Sequence, residues 1–409
     1  MPPVARRRLV DQIELNDHEK KNLTILDTIR KRGPIARAEI SRLIGLNIVT
    51  VTSYVDQYIK KGVIKEVGID VSSGGRKPTL VDLNPSAIFT IGVGLSVSHM
   101  TSVLCNLKGD IVHSEQMERP MKSGEEFVMA MVSLVSELIK KSNVDTGKVH
   151  GIGIGIPGPI NLDTNSVRWE AGLAGGDLWI TVSIHGIFED KFGIPTLVDH
   201  DANMAMFGED WYGSRLGLRH AIYLYAGDGF GFFINGQVYR GANGCAGEWL
   251  FNTPDDTLPK ELQPYAKDRM WWTLDLGISL RAEAFQNDHA NSKIYELVKG
   301  DAKKINVSVV AKAAEAGDPL AITLLKEGGN RLGRKAAFLV NLINPEILIV
   351  GGGTEAAGTY FMDALRDTVK QLSIPEATDK LRVIPSQLGE NGVALGAAAL
   401  VAQNYFVSV

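Results

Sequence analysis

Two cysteines, Cys105 and Cys245, are all that 409 residues contain. Two thiols cannot make a disulfide framework or a multi-cysteine zinc cluster. Long apolar runs are also missing. The best candidate for a membrane span, residues 337–350, is interrupted by Asn341, Asn344 and Pro345, well short of the roughly 18 apolar residues a span needs. The amino terminus lacks the core of a secretory signal, because Arg6, Arg7 and Arg8 pass through Leu9 and Val10 straight into Asp11. A cytoplasmic protein with no membrane partner is the expectation. What is present is an ordinary globular balance, 44% apolar and 22% charged, in a chain long enough for two or three domains.

Net positive charge is absent overall, at −4, but the distribution is uneven. The first 80 residues hold 15 Lys and Arg against 9 Asp and Glu, a net of +6, which leaves −10 for the rest. A basic head on an acidic body points to a polyanion as the head's partner.

Within that head, the spacing predicts a helix over 17–32, with Leu23, Leu26 and Ile29 on one face and Gly33-Pro34 as its stop. A second helix is expected over 37–44, then a tight turn at Gly45-Leu46. A third should run from an Asn47 cap to about Lys61. Ile48, Val51, Val55, Tyr58 and Ile59 share the face expected to pack inward. Val49, Thr50, Thr52, Ser53, Gln57 and Lys60 remain outside, small near the start, as a helix entering the major groove requires. Strands at 63–67 and 79–83 flank a cationic tip, Gly74-Gly75-Arg76-Lys77-Pro78, suited to a phosphate track or an A·T-rich minor groove. The expected DNA-binding residues are Arg37, Asn47, Val49, Thr50, Thr52, Ser53, Gln57, Arg76 and Lys77. A helical dimerisation element with a solvated hairpin is the alternative for the same residues. The stretch resembles the winged helix-turn-helix of bacterial repressors, notably in Ala38-Glu39-Ile40, Gly45-Leu46, Thr50-Val51-Thr52 and the cationic tip.

From Ile88 the pattern changes to apolar strands alternating with helices, and three short strands followed by a strand-and-helix alternation occur twice. Such duplication predicts a two-lobed α/β body with a ligand cleft between the lobes. The proposed division is 1–85, then 86–200 with 390–409 as the first lobe, and 201–389 as the second. Polar or glycine-rich junctions fall at strand ends, where cleft residues belong. They are Gly94 to His99, Gly153 to Pro159, Asp199 to Asn203, Gly227 to Gly231, Gly241 to Glu248, and Gly351-Gly352-Gly353.

In this order the junctions resemble those of the ROK family of repressors, open reading frames and kinases. The resemblance implies an actin-like, hexokinase-type fold (a duplicated ribonuclease-H-like body) behind a winged helix-turn-helix, and a sugar in the cleft. It places the family's sugar-hydroxyl base at Asp201, with His200 for the usual Asn, and its sugar-contacting Glu at Glu248, with Phe251 where the family has His. Gly158, His200, Asp201 and Glu248 are the candidate effector-binding residues. Asp201 could instead cap a helix, and Glu248 could be a surface carboxylate. Trp169, Trp179 and Trp249 could stack on a sugar or sit in ordinary core.

The departures matter more. The kinases' Asp-x-Gly-Gly-Thr-Lys phosphate loop aligns with Gly94-Leu95-Ser96-Val97-Ser98-His99, without its Asp or Lys, and Asp228 and Phe230 intrude on the second glycine run. No zinc ligands, cofactor or catalytic residue are expected. The resulting expectation is a sugar-responsive transcriptional regulator, a repressor of carbohydrate uptake or catabolism genes. It would bind a double-stranded operator as a homodimer or dimer of dimers, with the cleft as sensor. The alternatives are an ATP-dependent sugar kinase with an accessory domain, or a repressor controlled by a protein partner.

Overall fold

A computed structural model describes residues 9–10, 14–69, 78–96, 99–119, 125–161, 164, 166–170, 179–213, 218–225, 229–249, 259–262 and 275–409. Arg76, Lys77, Val97, Ser98, Asp228, Phe251 and the Trp271-Trp272 pair lie outside them, as do the side chains of Trp169 and Trp179.

Asn16 opens α1 (Asp17–Arg32). Its Oδ1 accepts the Glu19 amide at 3.0 Å while Glu19 Oε2 accepts the Asn16 amide at 2.9 Å, pairing two donors that a helix start otherwise strands. After β1 (Ile35–Ala36), α2 (Arg37–Ile44) ends at Gly45, whose φ of 69° is the left-handed region that favours glycine. Asn47 then caps α3 (Ile48–Lys60), its Oδ1 accepting the Val49 amide at 2.8 Å. β2 (Ile64–Ile69) and β3 (Thr79–Leu83) pair antiparallel, and β1 adds to β3. The helices expected from the sequence are present, and Ile25, Leu26, Ile29, Ile40, Val51, Val55 and Tyr58 fill the core. Ile48 departs from expectation. The apolar stripe of α3 continues to it, but the stripe runs off the end of its cover, and Ile48 is 43% exposed.

The first lobe holds β4 (Phe89–Leu95), β5 (His99–Asn106), β6 (Ile111–Glu118), α4 (Glu125–Ser142) and β7 (Val149–Ile156). A small antiparallel sheet of β8 (Ile160–Asn161), β9 (Ser166–Glu170) and β10 (Trp179–Val182) precedes α5 (Ile184–Phe192), β11 (Thr196–His200) and α6 (Asp201–Trp211). The second lobe runs through β12 (His220–Tyr225), β13 (Gly229–Ile234), β14 (Gln237–Tyr239), α7 (Ile278–Ala284), α8 (Lys293–Leu297), α9 (Val307–Glu315) and α10 (Pro319–Ile343). It is completed by β15 (Ile347–Gly351), α11 (Gly358–Leu372), α12 (Pro375–Thr378) and β16 (Arg382–Pro385), and α13 (Gly392–Ser408) follows.

The sheet orders β6-β5-β4-β7-β11 and β14-β13-β12-β15-β16 are the same wiring twice, an antiparallel meander of three strands extended by two parallel ones. The duplication read from the sequence is therefore real. The small-residue helix α13 returns to the first lobe as expected and lies directly on its sheet. A Cβ at Gly94 would sit 2.4 Å from the Ala394 nitrogen, and one at Gly396 would sit 1.7 Å from the Met204 carbonyl of α6. One apolar cluster runs without a break from the winged module (Leu26, Val55) through Trp211 to Phe406. Among the described residues no helix is long and apolar enough to cross a membrane.

Candidate functional site

β11 ends in Asp199 and His200, and α6 begins at Asp201, so three titratable side chains emerge where strand becomes helix. His200 holds the cap position without a side-chain cap bond, and Asp201 is the first helical residue, its Oδ1 accepting the Ala202 amide at 2.7 Å. Asp201 is thus not the helix cap that its sequence position permits. Glu248 arrives from the second lobe, where its backbone bridges Gly229. His200 Nε2 lies 3.1 Å from Glu248 Oε1 and 3.5 Å from Asp201 Oδ1, with His200 and Asp201 buried and Glu248 half-buried. Gly158 turns the chain after β7 at φ 99°, where a side chain would be strained.

Beneath this cluster is a partner that the motif reading missed. Arg240, just after β14, donates from Nε to Asp199 Oδ2 at 2.8 Å, and its Nη2 lies 2.8 Å from the same oxygen. Both residues are buried, and the pair ties the first-lobe sheet to the second-lobe loop that carries Glu248. The other Asp199 oxygen accepts the His200 amide at 2.7 Å and Asn203 Nδ2 at 3.1 Å. The signal was an arginine in the run Val238-Tyr239-Arg240-Gly241, charged between a strand and a glycine turn.

Burial works against a charge on His200, but Asp201, Glu248 and Asp199 outweigh it and lift the imidazole to about 9. Burial raises the Asp201 carboxyl, opposed by His200 and, more weakly, Arg119. His200 Nδ1 and Asn203 Oδ1 are buried without a hydrogen-bond partner, which leaves capacity for a ligand. Trp249 does not face this cluster. Its ring packs on Phe230 at 5.4 Å and Phe338 at 6.2 Å, with Lys335 Nζ 5.5 Å away. Phe230 is buried in the second-lobe core rather than standing in a phosphate site.

The far end of the cleft is built differently. Position 94 has no room for any side chain, because α13 is already there. His99 Nδ1 is 3.9 Å from Glu390 Oε2. After β15, the Gly353 amide donates at 2.7 Å to Glu355 Oε2, so a backbone donor of this glycine turn is already taken by the chain's own carboxylate. Burial pushes the Glu355 carboxyl up to about 7, with Glu390 and Glu209 adding to it. Among the described residues no group of three or more His, Cys, Asp or Glu could hold a metal ion.

In the winged module Val49 is 73% exposed. Asn47, Ser53 and Gln57 are exposed, and Thr50 and Thr52 are half-buried. Arg37 is committed within the module, its Nη2 lying 3.0 Å from Asp56 and 3.4 Å from Glu66.

A family model for ROK matches residues 90–404. The chain belongs to the ROK family. A model for winged helix-turn-helix DNA-binding domains matches residues 19–65. The xylose repressor of Caldicellulosiruptor bescii is 30% identical over 396 residues, covering 93% of this chain and 94% of that one. Among solved structures, a ROK transcriptional regulator described as a homologue of the Escherichia coli MLC protein superposes with a TM-score of 0.70 at 20% identity, covering 96% of this chain and 97% of that one. A ROK glucokinase from Streptomyces griseus, in complex with glucose and AMPPNP, gives 0.63 at 26% identity, covering 76% of this chain and 98% of that one. The two-lobed body is thus the actin-like ROK fold, carried behind a winged module.

Proposed function

We propose that this ROK protein is a transcriptional repressor of carbohydrate genes, cytoplasmic and dimeric, whose cleft senses a sugar and whose winged module holds an operator. The observation that carries the reading is the asymmetry of the cleft. Its sugar end brings His200, Asp201 and Glu248 together with unused polar atoms beside them, while its phosphate end is filled by α13, Glu355 and Glu390. A carboxylate suits vicinal hydroxyls, and stacked carboxylates repel a nucleotide. The working units are 1–85, 86–200 with 390–409, and 201–389.

Asn47, Val49, Thr50, Thr52, Ser53 and Gln57 are assigned to the operator, with Arg76 and Lys77 on its phosphates. Gly158, His200, Asp201 and Glu248 are assigned to the sugar. Coupling between the two is short. α6 starts at Asp201 and ends about 16 Å away at Trp211, whose carbonyl accepts from Arg30 of α1 and whose ring lies 3.9 Å beneath the Arg30 guanidinium. Tyr58 of α3 donates to Asn22 Oδ1 at 2.7 Å, and Asn22 Nδ2 reaches the Val407 carbonyl of α13 at 3.4 Å. A sugar that binds one lobe orientation more tightly than another would move α6 and α13, and with them the recognition helix.

The test is a thermal-shift screen of free and phosphorylated sugars, starting with D-xylose because of the relative named above, followed by operator titration with each hit. A hit that changes operator affinity supports the reading; no sugar altering DNA affinity removes it. Turnover in a coupled ADP-release assay, abolished by Asp201→Asn, would establish a kinase instead.

A further inference from the structure

Isolated apolar side chains on a surface need no explanation, but two adjacent ones at the leading end of a recognition helix do. Among the described residues of the winged module the exposed large apolar side chains are Leu43, Ile48, Val49 and Val67. Ile48 and Val49 are the first two residues of α3, 43% and 73% exposed. Their turn carries no acid. The single acid on α3, Asp56, is paired with Arg37 at 3.0 Å, so no unpaired negative charge on this helix opposes a DNA backbone. The Asn47 Oδ1 is engaged too, accepting the Val49 amide, which leaves its Nδ2 as the polar group just before the helix. The leading end therefore presents two branched hydrocarbon groups, followed by the hydroxyls of Thr52 and Ser53.

The first turn of a recognition helix meets base edges. Of the groups on those edges in the major groove, the thymine 5-methyl is the one bulky apolar group, and the polar groups are hydrogen-bond donors and acceptors. Against Ile48 or Val49, a purine N7 or O6 would lose water and gain no partner, whereas a methyl would gain contact. We infer that Ile48 and Val49 are specificity-determining residues that read thymine methyl groups at neighbouring positions of each operator half-site. This rests on the DNA-regulator reading above and adds what the helix tip recognises.

The experiment uses the full chain. Selection from a random duplex library supplies a site, and each of its thymines is then replaced singly by deoxyuridine, which removes only the methyl. Affinity is followed by fluorescence anisotropy. For the wild-type protein, one or two positions per half-site should weaken binding about fourfold, the equivalent of one methylene left unburied. Val49→Ser, at a site too exposed to disturb the core, should abolish that sensitivity at its own position and leave the salt slope unchanged. Ile48→Ser should do the same at the neighbouring position. Indifference of the wild type to uracil at every thymine would overturn the inference, as would Val49→Ser keeping wild-type sensitivity. A library from which the protein enriches nothing is a separate outcome that removes the DNA-regulator reading itself, and this inference with it.

Discussion

The two ends of the interlobe cleft carry carboxylates in similar number, yet they are treated in opposite ways. At the sugar end Asp199, Asp201 and Glu248 are matched by Arg240, His200 and the nearby Arg119. At the phosphate end burial raises the Glu355 carboxyl, Glu390 and Glu209 add to it, and His99 Nδ1 lies 3.9 Å from Glu390 Oε2. Burying charge is tolerable when each charge has a partner with good geometry. On the proposed reading the first end suits a neutral, hydroxyl-rich ligand, and at the second the chain itself takes up space and donors that a polyphosphate would need.

The largest effect should come from unbalancing the sugar end. Arg240→Met leaves Asp199 buried without its cation, and removing one member of a buried pair costs about 3–5 kcal/mol. Urea unfolding should show that loss, and the double variant with Asp199→Leu should recover most of it. Equal stability of the single variant and wild type would mean the pair is not holding the lobes together. Asp201→Asn is expected next. Hydrogen bonds to a charged group contribute roughly 1.5–3 kcal/mol, so sugar affinity measured by calorimetry should fall roughly 10- to 100-fold while operator affinity without sugar stays the same. An unchanged sugar affinity would remove Asp201 from the site.

A smaller and more selective effect belongs to Arg30. Its contact with Trp211 joins α1 to the end of α6, and a cation–π contact of this kind is worth roughly 1–2 kcal/mol. Arg30→Ala should preserve sugar affinity but shrink the change in operator affinity that sugar produces, measured by titrating DNA with and without the sugar. If the sugar response were as large as in the wild type, coupling would have to pass through α13 alone.

How much of this was legible in the sequence depended on whether the signal was local. The capping box at Asn16 and Glu19, the Asn47 cap and the Gly45 turn each lie within a few residues, and the helices they frame stand where expected. The doubled strand pattern was legible for the same reason. Ile48 was misread because a helical stripe says which face is inward but not where the covering helices stop. Arg240 and Glu209 escaped because their partners are distant, and Glu355 because its burial and the nearby Glu390 and Glu209 come from elsewhere in the chain, although the Gly353 amide it accepts is two residues away. Asp199 is 41 residues from Arg240, and the loop amides of Gln387 and Leu388 that Glu209 accepts are 178 and 179 residues away. The loss of Asp at position 94 was readable as a missing ligand. Only the packing of α13 shows that no side chain fits there.

The smallest predicted effect sharpens the comparison because it is confined to one end of the cleft and one range of pH. Glu355 ionises near 7 in the folded protein and near 4.5 as an ordinary glutamate. Between those values the unfolded chain has released a proton that the folded chain still holds. The stability tied to that proton is complete below 4.5 and is lost as pH rises through about 7. Glu355→Gln keeps an acceptor for the Gly353 amide but cannot ionise, so its melting temperature relative to wild type should climb from about pH 5 to about pH 8 and then level off. At the sugar end the contribution of His200 is lost only as pH rises from the ordinary 6.5 through about 9, and burial raises the Asp201 carboxyl; both are common to variant and wild type and cancel in the difference. A difference between variant and wild type that stays flat with pH would mean that Glu355 is already solvated and ordinary. Glu355 would then carry its full charge at neutral pH, and the exclusion of polyphosphate proposed for this end would rest on that charge as well as on α13.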